Sequence, residues 1–259
     1  MKDKIKTIIW IVVAIAIIVL IGILGYGYYK KATMEVKNPI LTMEVEGFGT
    51  VKMELYPDHA PQNVANIVNL ANRGFYNGTK FHRVIKDFMI QAGTKDGDGT
   101  TGAKLSDLKD GGEDKEYGIK GEFVANGVNN TIKFEEGVVG VARADYTQYS
   151  SDLKDESYNS GNAQFFIMTK ENTGLNGLYT PIGKVIEGMD VVHKIEGVEV
   201  KAADSEKGDS SKSEVSTPVN PPVVTSITVD TQGVTYDLPN TLDAFDYMSW
   251  FSKNYNFGQ

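Results

Sequence analysis

The sequence predicts a mainly β fold, a closed antiparallel barrel capped by two helices, with a membrane-crossing helix ahead of it. Three observations lead there. Short segments alternate apolar and polar residues at the two-residue period of half-buried strands. Within the body of the chain, two segments carry apolar residues at helical spacing on one face. An uncharged run of 22 residues, 8–29, lies near the start of the 259-residue chain.

That run reads IIWIVVAIAIIVLIGILGYGYY. About 20 apolar residues in a helix are enough to cross a hydrocarbon layer of ~30 Å. Lys2, Lys4 and Lys6 precede it and Lys30 and Lys31 follow. Trp10, Tyr26, Tyr28 and Tyr29 stand where amphipathic rings favour the membrane interfaces. A cleaved signal peptide has a shorter apolar stretch, about 7–15 residues, ending at small residues. Here Ala14 and Ala16 lie mid-run, and tyrosines and lysines occupy the far end. The expectation is an uncleaved anchor over residues 1–31, single-pass in the cell membrane. The slight excess of lysine before the run points to an extracytoplasmic domain after it.

A polar tether, 32–39, follows. Residues 41–46 and 51–55 alternate around Gly47 and Gly49, which predicts a β-hairpin. Pro57 and Pro61 mark a turn and a helix start, and Val64, Ile67, Val68 and Ala71 share one helical face before Gly74. Strands are expected over 80–85, 88–92, 138–142 and 163–168. A short helix over 188–197 turns Met189, Val192 and Ile195 inward. Val223, Thr225, Ile227 and Val229 alternate as a closing strand. The domain is thus 40–236, with flexible loops over 94–120, 145–161 and 201–222, where Gly, Ser, Asp and Lys dominate. The tail, 237–259, carries Leu242, Phe245, Met248, Trp250 and Phe251, a pattern that suits a docking helix or a partner- or membrane-surface element.

Composition narrows the chemistry. With 34 acidic against 26 basic residues the net charge is −8, and no basic block follows the anchor, so nucleic acid is not an expected partner. The chain has no cysteine, which removes disulfides, thiolate metal sites and cysteine nucleophiles. Three scattered histidines, among them His59 and His193, lack paired ligand spacing, so no metal and no cofactor is expected. Gly97, Gly99 and Gly102 have no following GKS/T and read as a loop. The acidic run 110–116 reads as solvated.

The informative stretch is FHRVIKDFMIQAG, residues 81–93. It resembles the central signature of the cyclophilins: an aromatic–His–Arg strand, a two-residue turn, then Phe-Met-x-Gln-Ala/Gly-Gly. The segments Gly121-Glu122-Phe123, GVVGVARA (137–144), AQFFI (163–167) and GKVIEG (183–188) resemble later landmarks of that family, in order. The resemblance runs from about Leu41 to Val234. It implies a closed eight-stranded antiparallel cyclophilin-like β-barrel and peptidyl-prolyl cis-trans isomerase activity on proline-containing segments of folding proteins. It also implies Arg83 as the catalytic cation, with Gln91 orienting it or holding substrate backbone. His82, Phe88, Met89, Ala142, Gln164, Phe166, Leu175 and Tyr179 are implied to line the substrate groove. A catalytically weak proline-peptide-binding module or chaperone is the alternative. Three departures stand out: Gly174 where many eukaryotic members carry tryptophan, which bears on cyclosporin affinity; Tyr179 where histidine is usual; and Arg143 in place of a common asparagine.

Periodicity independently groups part of this set. Side chains alternate across a strand, so Met89 and Gln91 share one face and Gln164 and Phe166 share another. Arg83 joins them if its strand is in register.

Overall fold

The computed structural model describes residues 2–33, 37–202 and 214–255. Residues 34–36 of the expected tether, 203–213 of the third expected loop and 256–259 of the tail lie outside them. The chain divides into two units, Met1–Lys37 and Asn38–Gln259. The first is one helix, α1 (Lys2–Thr33). Its stretch Trp10–Tyr28 has mean hydropathy 2.6 and buries none of its residues. It is long and apolar enough to cross a membrane, a property that spans and signal sequences share.

The second unit runs β1 (Ile40–Val45), β2 (Gly49–Leu55), α2 (Pro61–Asn72), β3 (Arg83–Ile85), β4 (Met89–Ala92), α3 (Leu105–Leu108), β5 (Tyr117–Ile119), β6 (Val138–Val141), α4 (Lys154–Tyr158) and β7 (Phe165–Met168). It continues with β8 (Thr180–Glu187), α5 (Met189–Glu196), β9 (Val200–Ala202), β10 (Val215–Pro218), β11 (Val224–Asp230), β12 (Thr241–Asp243) and α6 (Tyr247–Asn254). Eight strands form one curled antiparallel sheet in the order β11-β1-β2-β8-β6-β7-β4-β3. Within the expected loops lie α3, β5, α4 and the β9–β10 pair. In the tail, β12 pairs with β5, and α6 sets Tyr247 against Tyr149, with ring centroids 4.4 Å apart.

The expected closed barrel is corrected: the sheet is open. Its edge strands β3 and β11 share no ladder, and the chain beside them meets at one bridge, Lys80 with Val223. The Phe81 N–H donates to the Pro222 carbonyl at 3.0 Å. The reciprocal bond would need an N–H on Pro222, which proline lacks, so the pairing cannot continue.

The helices cover the main core. Val64, Ile67, Val68 and Ala71 of α2 are buried as their spacing predicts, and so are Val191, Val192 and Ile195 of α5; Met189 is only partly buried. α2 packs on β8 and β11, and α5 on β2, β3 and β4. The start of α2 is capped from a distance. Its N-cap, Ala60, has no side-chain acceptor and Pro61 needs none. The buried carboxylate of Glu122 accepts the Gln62 N–H at 3.1 Å, the Asn63 N–H at 2.9 Å and the Asn63 side-chain amide at 2.7 Å. β8 is not among the strands expected from alternation, and it holds Pro181 and Gly183 within its length. Pro181 is accommodated beside a register shift between Val139 and Gly140. In β11 a second shift changes the expected phase: Val224 and Ile227 are buried while Thr225 is exposed.

Candidate active site

The site is built on the face of the sheet opposite the main core. Along β4, β7 and β6 every second residue enters the core: Ile90 and Ala92, Phe165 and Ile167, Val139 and Val141. Their neighbours Met89, Phe166, Met168 and Val138 form a second buried cluster with Phe134. Antiparallel pairing then fixes a row across four strands, in which Arg83 lies opposite Gln91, Gln91 opposite Phe166, and Phe166 opposite Gly140. Phe88, Ala142, Leu175 and Tyr179 stand partly buried at the edge of that cluster. The result is a cavity of about 370 Å³ lined by Arg83, Phe88, Met89, Gln91, Ala142, Arg143, Phe166, Leu175 and Tyr179.

Its floor depends on a missing side chain. A Cβ on Gly140 would stand 2.4 Å from the Phe166 Cζ and 2.7 Å from the Phe134 Cε1. Without it, the two rings stack with centroids 5.5 Å apart and 26° between planes. Tyr179 meets Phe166 edge-on at 5.9 Å. This slot suits a compact apolar ring.

One rim is polar and linked. Arg83 Nη1 lies 3.4 Å from the Gln91 Oε1 it donates to and 3.8 Å from Met89 Sδ. Gln91 Nε2 donates to Gln164 Oε1 at 2.8 Å, and Gln164 Nε2 donates to the Gly99 carbonyl at 3.0 Å. Asp96 shapes that loop by accepting the Thr101 N–H at 2.8 Å and the Gly99 N–H at 3.3 Å. On its other side Arg83 pairs with Glu214: Nε donates to Oε1 at 2.7 Å and Nη2 to Oε2 at 2.8 Å. The guanidinium's hydrogen bonds hold the Glu214 carboxyl below its ordinary range, against the opposing pull of partial burial.

Eight of the ten expected residues therefore meet in one cavity: Arg83, Gln91, Phe88, Met89, Ala142, Phe166, Leu175 and Tyr179. Gln164 and His82 do not line it. Gln164 lines an adjoining cavity of about 540 Å³, which shares Gln91, Ala142 and Arg143 with the first and is bounded on one side by residues 242–245 of the tail. His82 is 9 % exposed and sits under the 97–102 loop; a Cβ on Gly99 would come within 2.7 Å of its ring. Burial is the main influence lowering its pKa below the ordinary 6.5, so the ring is neutral at pH 7.

Three residues escaped the sequence reading of the site. Arg143 lines both cavities, 4.5 Å from the Tyr179 ring centroid, with its Nε donating to the Leu178 carbonyl at 3.1 Å. Its place directly after Ala142 was the available signal. Phe134 lay in a stretch with no strand pattern. Glu214 is 131 residues from Arg83, and nothing local announces the pairing. Among the described residues no group of His, Asp and Glu is arranged to hold a metal ion.

The comparisons agree with this architecture. Residues 40–220 match the model of the cyclophilin type peptidyl-prolyl cis-trans isomerase/CLD family. A probable peptidyl-prolyl cis-trans isomerase of Brucella suis is 39% identical over 169 residues, covering 62% of this chain and 71% of that protein. The human peptidyl-prolyl cis-trans isomerase-like 1 is 34% identical over 157 residues, covering 60% of this chain and 79% of its own. A crystal structure of a Cryptosporidium parvum cyclophilin type peptidyl-prolyl cis-trans isomerase, in the presence of the dipeptide Ala-Pro, is similar in fold. Its TM-score is 0.55 at 23% identity, covering 74% of this chain and 98% of that one.

Proposed function

The chain belongs to the cyclophilin family of peptidyl-prolyl cis-trans isomerases, and from that premise we propose that it turns Xaa-Pro bonds of extracytoplasmic folding proteins, with Arg83 as the catalytic cation. One observation carries the reading: Arg83, whose Nη1 lies 3.8 Å from Met89 Sδ, and the apolar wall of Phe88, Met89 and Phe166 border the same cavity.

The reaction breaks no covalent bond. It rotates a C–N bond stiffened by amide resonance, against a barrier of ~18–20 kcal/mol. Uncatalysed, that takes roughly 10–100 s. In the twisted state the prolyl nitrogen's lone pair leaves conjugation and becomes an acceptor. A donor aimed at it therefore binds the twisted state better than the planar one, the requirement for raising a rate. A thousandfold acceleration needs about 4 kcal/mol. One preorganised donor in a water-poor site supplies ~2.7–4 kcal/mol by analogy with oxyanion holes.

In this reading Phe88, Met89, Phe166 and Leu175 clamp the pyrrolidine ring, so that rotation is confined to the acyl side. Arg83 Nη1 donates to the prolyl nitrogen. Gln91, tied to Gln164, keeps Nη1 aimed and offers an amide to substrate backbone. Ala142, Tyr179 and Arg143 border the path of the residue before proline, and His82 supports the groove from beneath its loop. The Cryptosporidium structure, determined in the presence of Ala-Pro, supports a proline peptide as the occupant. The extracytoplasmic address rests on the apolar helix and the lysines flanking it, read as an uncleaved anchor.

The test is Arg83→Ala assayed by exchange NMR on a short Xaa-Pro peptide. Turnover is expected to fall by roughly 100-fold or more, as for loss of one preorganised donor, with the thermal midpoint unchanged. Wild-type turnover in that variant would refute the mechanism. Tight peptide binding without acceleration in the wild type would make the domain a binding module.

A further inference from the structure

We propose that Glu214 is the positioning residue for Arg83: its carboxylate clamps the guanidinium edge-on and turns the remaining nitrogen, Nη1, into the proline slot. This rests on the reading of Arg83 given above. A guanidinium presents three nitrogens in one plane, and a carboxylate matches two of them when it approaches side-on. Glu214 takes Nε and Nη2, at 2.7 and 2.8 Å. The nitrogen left over is the one beside Gln91 Oε1 and Met89 Sδ. Two bonds in one plane fix the rotation of the head group, where a single bond leaves it free to swing.

The elements that carry Glu214 explain why it faces this way. β10 pairs with β9 and lies against β3, the strand of Arg83. Alternation along β10 buries Ser216 and Pro218 and leaves Val215 exposed. Glu214 stands exposed immediately before β10 and reaches across to Arg83 of β3 through both carboxylate oxygens. The Val219 N–H donates to the Glu199 carbonyl at 2.9 Å and holds the base of the pair.

The pair is partly solvated, with side chains 34% and 47% exposed for Arg83 and Glu214. Its worth as a stabilising contact is therefore small. Its consequence for the reaction is directional. A loosened guanidinium still attracts a peptide but spends less time with Nη1 on the prolyl nitrogen, so loss of the clamp acts on kcat more than on KM.

The test compares Glu214→Gln and Glu214→Asp with the unaltered chain, all full-length in detergent micelles. Glu214→Gln is expected to lower kcat about three- to fivefold, the factor a partly exposed ion pair can hold, with KM little changed. Glu214→Asp, which keeps the charge, is expected to recover part of the loss. The Arg83 Nε–H resonance, sharp in the parent, is expected to broaden through faster exchange in Glu214→Gln. An unchanged kcat in Glu214→Gln would overturn the proposal. So would a raised kcat, which would make the carboxylate a competitor of substrate. Arg83→Ala in the same assay separates the two readings: full activity there refutes the role of Arg83 itself, whereas an inactive Arg83→Ala beside an unaffected Glu214→Gln refutes the clamp alone.

Discussion

At the scale of single residues, the site is most sensitive where a side chain is missing. Gly140 lies on β6 with its α-carbon facing the stacked Phe134 and Phe166, and an added methyl group would fall 2.4 Å from one ring and 2.7 Å from the other. Both rings are buried, so neither can swing aside into solvent. Gly140→Ala is expected to cost about 1–3 kcal/mol, the usual range for an overpacked core, read as a lower thermal midpoint. Because Phe166 is a wall of the slot, isomerase turnover is expected to fall with it. An alanine variant with unaltered melting and turnover would mean that the rings are not held as described. Most members of the site could be named from the FHRVIKDFMIQAG stretch and its later landmarks. Glu214 and Phe134 could not, because each acts through a neighbour distant in the chain.

At the scale of elements, α2 illustrates a terminus completed by tertiary structure. Its apolar face and Pro61 announce the helix, but no local residue caps it. Glu122, about 60 residues on, accepts the Gln62 and Asn63 N–H groups and the Asn63 amide while itself buried. Removing it takes the acceptor from the half-buried Gln62 N–H and the buried Asn63 N–H, while the Asn63 amide keeps the Lys120 carbonyl at 3.0 Å. Glu122→Ala is expected to destabilise the domain by about 1–3 kcal/mol, measured by denaturant unfolding, and Glu122→Gln by less because an acceptor oxygen remains. Equal loss in the two variants would show that charge, not hydrogen bonding, matters there. Strands were legible where alternation was clean, as in β1 and β2. They were illegible where a register shift changes the phase in β11 or admits Pro181 in β8.

At the scale of the whole molecule the chain comprises an apolar helical unit and a folded isomerase unit. The address of the second follows from how the first is read. With the lysines before residues 8–29 retained in the cytoplasm, protease added to intact spheroplasts is expected to remove a tag placed after Gln259. Protection of that tag until the membrane is lysed would place the domain on the cytoplasmic side.

Taken alone, the amino-acid order determined the mainly β character of the domain, its two covering helices, the long apolar helix ahead of them and the dense motif from which the family and eight cavity residues were read. Each of these is written in neighbouring positions, as a period of two, a period of 3.6 or a contiguous run of residues. Only the tertiary structure decided that the sheet stays open at Pro222, that Glu122 caps α2, that Gly140 admits two stacked rings and that Glu214 meets Arg83. Those outcomes depend on register and on contacts across tens to more than a hundred residues, and chain periodicity carries no record of which distant partner will arrive.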